Sequence, residues 1–79
     1  MQVRLYTTSW CPDCHRAKWF LRQHGIPYEE VDIDRDPEAE ALVLRYNAGR
    51  RRVPTIQIGD RFYGNPPLAL LGELLGVRS

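Results

Sequence analysis

Thr7-Thr8-Ser9-Trp10-Cys11-Pro12-Asp13-Cys14-His15-Arg16-Ala17-Lys18 carries both cysteines of the chain, and its reading decides the fold. Pro12 suits the first turn of a helix, because its missing N–H would have no intrahelical partner there. A helix is expected over Pro12–His24, ended by Gly25, with Ala17, Phe20, Leu21 and His24 on its buried stripe. At about 100° per residue, Cys14 falls on the flank of that stripe. Cys11 falls about 120° from its centre and is expected to face solvent with His15 and Lys18. One sulfur is thus open and the other sheltered.

Working outward, Val3-Arg4-Leu5-Tyr6-Thr7 alternates as a strand, with Val3, Leu5 and Thr7 on one side. Tyr28 to Ile33 reads as a second strand. Asp36-Pro37-Glu38 is a helix start: an N-cap acceptor, Pro at the first helical position, then an acid in the first turn. Ala39, Leu42, Val43 and Tyr46 recur at helical spacing and form that helix's buried stripe, and Asn47-Ala48-Gly49 ends it. Thr55–Ile58 and Arg61–Tyr63 flank Gly59-Asp60 as a β-hairpin. Gly64-Asn65-Pro66-Pro67 breaks the chain before a last helix, Leu68–Leu75, stopped by Gly76. Strands separated by helices imply a parallel pair, to which the hairpin adds antiparallel edges.

Composition sets limits. Seventy-nine residues make one domain, which buries roughly 60% of its unfolded surface. The 43% hydrophobic and 27% charged fractions are ordinary globular values. Eleven basic against ten acidic side chains leave a net charge of +1, which argues against binding nucleic acid through its phosphates. No apolar run approaches the roughly 18 residues of a membrane span, and Met1-Gln2-Val3 has no signal-peptide pattern. A cytoplasmic protein is the expectation.

A bond between Cys11 and Cys14 would close so short a loop that chain entropy offers only about 2 kcal/mol. Chemistry must explain the pair. A helix N-terminus favours the thiolate at Cys11, through free N–H groups and the macrodipole, while Asp13 opposes it. An outer attacking thiol and an inner resolving thiol are what disulfide exchange requires. Three other readings compete: a zinc site, for which the pair supplies only two of four ligands; a structural disulfide; and two cysteines that simply fill the core.

The segment from Thr7 to Lys18 resembles the active-site segment of glutaredoxins. Gly49-Arg50-Arg51-Arg52-Val53-Pro54-Thr55-Ile56 resembles the family's threonine-valine-proline segment, so the resemblance covers nearly the whole chain. Thr-Ser-Trp-Cys, His15-Arg16, Val53-Pro54-Thr55 and Asn65-Pro66 are similar to mycoredoxins. Asp34-Arg35-Asp36-Pro37-Glu38-Ala39 is similar to glutaredoxin-like reductants of ribonucleotide reductase. The resemblance implies an α/β thioredoxin-like fold, β-α-β-α-β-β-α, with a four-stranded mixed sheet flanked by three helices over residues 1–79. It implies a cis Pro54 facing the cysteines and a Val53 backbone that receives an extended substrate as an added strand.

The implied activity is thiol–disulfide exchange on protein disulfides, or on mixed disulfides with a small thiol, by a monomer with Cys11 and Cys14 catalytic. No cofactor or metal is bound, and an upstream reductase resupplies electrons. The alternative is a binding module carrying an iron–sulfur cluster, which Pro12 and the second sheltered cysteine argue against. Trp10, Pro12, Asp13, Arg50, Arg52, Val53, Pro54 and Asn65 are the candidate substrate-binding residues. Arg50-Arg51-Arg52 is either a solvated loop or a clamp for carboxylate or phosphate. Trp10 is either an aromatic lip or a surface cover for the first strand. Glutaredoxins carry two glycines and an acid where Gly64-Asn65-Pro66-Pro67 stands here, and a lysine where Thr8 stands. Proline has no N–H to offer, so glutathione is expected to be a weaker co-substrate than a mycothiol-type thiol.

Overall fold

The strand β1 (Val3–Thr7) is buried on both faces: Leu5 and Tyr6, which point to opposite sides, are 0% and 1% exposed. A strand covered on both sides requires a layer on each face of its sheet. The computed structural model, which describes residues 2–77, supplies both layers. The helix α1 (Pro12–Gln23) follows β1, then β2 (Glu29–Asp32), α2 (Pro37–Tyr46), β3 (Thr55–Ile58), β4 (Arg61–Gly64) and α3 (Leu68–Leu75). The sheet order is β2-β1-β3-β4. β1 and β2 are parallel, with Leu5 opposite Glu30; β3 runs antiparallel to β1, with Leu5 opposite Ile56. The hairpin closes with Ile58 opposite Arg61, and Gly59 takes the positive φ of 63° that its two-residue turn demands. This is the expected thioredoxin-like arrangement.

On one face, Ala17, Phe20 and Leu21 of α1 and Leu71 of α3 meet Val3, Leu5 and Ile56. Burying each large aliphatic side chain here contributes roughly 1.5–3 kcal/mol relative to exposure. On the other face, Ala39 and Val43 of α2 meet Tyr6 and Ile33. α2 begins as its sequence implies: the Asp36 carboxylate accepts the Ala39 N–H at 3.1 Å, and Pro37 opens the first turn.

Several boundaries differ from the sequence reading. α1 stops at Gln23, with His24 as its C-cap, and β4 extends to Gly64. β2 lacks Tyr28 and Ile33; the Ile33 N–H still bonds the Thr7 carbonyl at 3.0 Å, but the chain is already turning. Tyr46 does not belong to a buried stripe, being 51% exposed, and Leu42 is half-buried. The last turn of α2 overhangs the sheet edge, where the Tyr46 ring lies flat on Phe62, 4.0 Å between centroids and 11° between planes.

Candidate active site

Cys11 is the N-cap of α1. Its backbone is extended (φ −89°, ψ 113°), and its sulfur accepts the Cys14 N–H at 3.1 Å. This position corrects the expectation that Cys11 faces solvent beside His15 and Lys18. Cys11 is 4% exposed and Cys14 fully buried. An N-cap residue lies outside the helical screw, so projecting it onto a helical wheel misplaces its side chain. The Cys11 sulfur lies back over the first turn and beneath the Val53 carbonyl, to which its thiol donates at 3.7 Å. Trp10, 65% exposed, and Pro12, also exposed, flank the covered sulfur.

The two thiols differ in environment rather than in exposure. Cys11 receives a helix N–H. Burial pushes the Cys14 thiol up to about 12, and its hydrogen bond with Cys11 adds to the rise. A hydrogen bond from the Thr8 backbone and the Lys18 charge oppose that rise without reversing it. The Lys18 ammonium is engaged with Glu30 at 3.0 Å and His15 is exposed, and among the described residues neither side chain hydrogen-bonds to the Cys11 sulfur. Burial acts to raise the Glu30 carboxyl, yet hydrogen bonds from Lys18 and Thr7 outweigh it and hold the group low.

The Val53–Pro54 peptide bond is cis, as the resemblance implies, and Pro54 is buried. Three contacts fix this segment. The Asn65 N–H donates to the Pro54 carbonyl at 2.7 Å. The Thr55 hydroxyl donates to the Arg52 carbonyl at 2.6 Å, and Cys11 reaches Val53 from below. Asn65, at the positive φ of 42° that asparagine tolerates better than most residues, also donates its side-chain amide to Asp13 at 3.2 Å. Asp13 in turn pairs with Arg16 at 3.7 Å. A cleft of about 270 Å³ opens between these groups, lined by Asp13, Arg16, Pro54, Asn65 and Pro67.

The three consecutive arginines separate. Arg51 is a structural strut: its guanidinium bonds Glu40 at 2.7 Å and also Asp34, and these carboxylates raise its already high pKa. Arg50 and Arg52 are exposed and form no ion pair among the described residues. Trp19 is 59% exposed and lines a separate groove between α1 and α3. Cys11, Cys14, Pro12, Asp13, Val53, Pro54 and Asn65 therefore converge, Trp10 borders them, and Arg50 and Arg52 lie in the loop leading to Val53. Among the described residues no three His, Cys, Asp or Glu side chains gather as a metal site.

The sequence reading missed two residues beside this site. Asn47 reads as a helix terminator and Thr55 as a strand residue, yet the Asn47 amide donates to the Thr55 hydroxyl at 3.1 Å. It also missed Thr8 as a buried polar group; its hydroxyl has no partner among the described residues.

A buried thiol pair at a helix start, opposite a cis-proline segment on a four-stranded mixed sheet, defines a dithiol protein of thioredoxin-like fold. The sequence profile of the Glutaredoxin family matches residues 3–63, and the chain belongs to that family. A glutaredoxin of Pseudomonas aeruginosa is 44% identical over 62 residues, covering 78% of this chain and 73% of that protein. Mycoredoxin 1 of Corynebacterium glutamicum is 39% identical over 67 residues, covering 85% and 82%. The solved structure of the glutaredoxin-like NrdH-redoxin of Escherichia coli superposes with a TM-score of 0.78 at 31% identity, covering 94% of this chain and 95% of that one. Among the described residues no helix is long and apolar enough to cross a membrane.

Proposed function

We propose that the chain reduces disulfides, in proteins or in mixed disulfides with a small thiol, through the Cys11-Pro12-Asp13-Cys14 dithiol. The observation that carries this reading is the 3.1 Å bond from the Cys14 N–H to the Cys11 sulfur, which fixes the attacking atom at the start of α1, within reach of the Val53 carbonyl. The Cys11 thiolate attacks one substrate sulfur; a mixed disulfide forms and the other sulfur leaves as a thiolate that takes up a proton. Cys14 then loses its proton and attacks the Cys11 sulfur, and the second substrate thiol departs. Two electrons have passed to substrate, and the protein holds a Cys11–Cys14 disulfide for an upstream reductase to reopen. The Val53 backbone pairs with the extended chain on one side of the bond under attack.

The small thiol is of the mycothiol type rather than glutathione. In Gly64-Asn65-Pro66-Pro67 the Asn65 N–H is already spent on Pro54, and the two prolines have none, so the loop lacks the donors that a glutamyl carboxylate requires. The likeness to mycoredoxin 1 supports the same choice. Arg50 and Arg52, without ion-pair partners among the described residues, hold a carboxylate or phosphate of the substrate.

Steady-state reduction of mycothiol and glutathione mixed disulfides and of a protein disulfide, each with its cognate reductase, tests the reading. The mycothiol substrate is expected to show the higher kcat/KM, and a Cys14→Ser variant to accumulate a mixed disulfide at Cys11 visible by intact mass. Faster turnover of the glutathione substrate would refute the thiol assignment. A Cys11→Ser variant that retains exchange would refute the dithiol mechanism.

A further inference from the structure

We propose that Asn47, at the C-terminus of α2, is a positioning residue for the substrate-pairing edge at Val53, acting through Thr55. The proposal rests on the reading that Val53 pairs with an extended substrate. The side-chain amide of Asn47 donates to the Val43 carbonyl at 2.7 Å, which anchors it to the last turn of α2. It also donates to the Thr55 hydroxyl at 3.1 Å, and that hydroxyl donates to the Arg52 carbonyl at 2.6 Å. Arg52 immediately precedes Val53. The three links run unbroken from a helix on one face of the sheet to the peptide that opens the substrate edge.

Geometry and donor chemistry give the relay its direction. A hydroxyl has a single proton. With the Asn47 N–H filling an acceptor site on Thr55 Oγ1, the Thr55 proton is committed to the Arg52 carbonyl. Thr55 is fully buried, so no water can replace either partner. Leaving a buried polar atom unmatched is what makes such a link costly to break.

Gly64 completes the arrangement. It lies opposite Thr55 across the hairpin, and a Cβ there would overlap the Asn47 carboxamide and approach the Arg52 Cδ to 2.7 Å. Only glycine lets the Asn47 side chain and the Arg52 stem cross the end of β4. Asn47, Thr55 and Gly64 make no hydrogen bond to either sulfur, so their effect reaches the reaction through the Val53 edge.

The test compares two substrates on four proteins. The substrates are an extended peptide disulfide and bis(2-hydroxyethyl) disulfide, which has no backbone to pair. The proteins are the wild type, Asn47→Asp, Thr55→Val and Thr55→Ser. Asn47→Asp keeps the shape and removes the donor; Thr55→Ser keeps the hydroxyl. Asn47→Asp and Thr55→Val are expected to raise KM for the peptide about three- to tenfold, the worth of one hydrogen bond, with kcat unchanged. Turnover of the small disulfide and the pH profile of Cys11 alkylation should not move, and Thr55→Ser should behave as wild type. Gly64→Ala should repeat the Asn47→Asp phenotype.

Equal losses on both substrates, or unchanged KM for the peptide, would overturn the positioning role. A peptide ester lacking the N–H that pairs with Val53 separates this failure from failure of the edge itself. If wild type loses affinity for the ester while Asn47→Asp leaves the peptide KM unchanged, only the relay is wrong. If the ester substitution is silent in wild type, the edge is wrong and the relay falls with it.

Discussion

Cys11→Ser isolates the inner thiol and tests whether burial controls its chemistry. Serine is a good N-cap, so α1 keeps its first turn and the fold is not expected to change. The Cys14 thiol is raised from an ordinary 9.0 to about 12, chiefly by burial and next by its bond with Cys11. The substitution removes the second cause and leaves the first. Three pH units correspond to about a thousandfold less thiolate at any pH well below 9. Burial, the largest cause, stays, so Cys14 is expected to remain suppressed. Because thiolate is the reacting species, iodoacetamide should label Cys14 at pH 8 more than about ten times more slowly than free cysteine. Intact mass follows the reaction, and labelling in urea, where burial is lost, should recover the rate of free cysteine. A native-state rate within tenfold of free cysteine, in a variant with native circular dichroism, would refute the claim that burial holds this proton.

Arg50→Ala and Arg52→Ala are each expected to raise KM for an anionic substrate, and added salt should mimic them in wild type through screening; silence of both variants would leave the pair a solvated loop. Leu21→Ala, at a fully buried site against Leu5 and Phe20, should cost about 2–5 kcal/mol in urea unfolding; a loss under 1 kcal/mol would mean that the α1 face is loosely packed. The reduced protein should lose stability between pH 9 and 12: the unfolded chain releases the Cys14 proton there while the folded chain keeps it, so rising pH favours unfolding. The slope attributable to Cys14 is about 1.4 kcal/mol per pH unit, read as the difference between wild type and Cys14→Ala.

What could be read from the sequence was what depends on near neighbours. Alternation along Val3–Thr7, the Asp36-Pro37 helix start and the Gly59-Asp60 turn each declare themselves within a few residues, and together they give the order of elements along the chain and the hairpin. The Cys11-Pro12-Asp13-Cys14 motif is equally local. The errors came from geometry that local patterns do not carry. Cys11 belongs to the cap rather than to the helix, so its burial could not be taken from helical spacing. Arg51 looked like its two neighbours because its carboxylate partners, Asp34 and Glu40, lie 17 and 11 residues away. Asn47 looked like a terminator because its second partner is on the next strand. Tyr46 has helical spacing for the core but lies past the sheet edge, half exposed, with its ring stacked on Phe62.

The site and the core of this small fold are held by different forces. The two apolar clusters join helices to the sheet and supply most of the stability, but only Val53 among the pairing residues touches either of them. The cis-proline segment is held by hydrogen bonds from three separate segments, the α1 cap through Cys11, the β4–α3 loop through Asn65 and β3 through Thr55, with the end of α2 bracing Thr55 through Asn47. A single bond contributes roughly 0.5–1.5 kcal/mol, whereas truncating a buried leucine costs several-fold more. Losses in the core should therefore reduce the folded population while each folded molecule stays competent. Losses in the hydrogen bonds should leave the population nearly intact and shift the geometry of the edge. If the proposed substrate edge is right, stability and substrate affinity should be separable, because the cis-proline segment is held mainly through its own carbonyls, at Arg52, Val53 and Pro54 in succession.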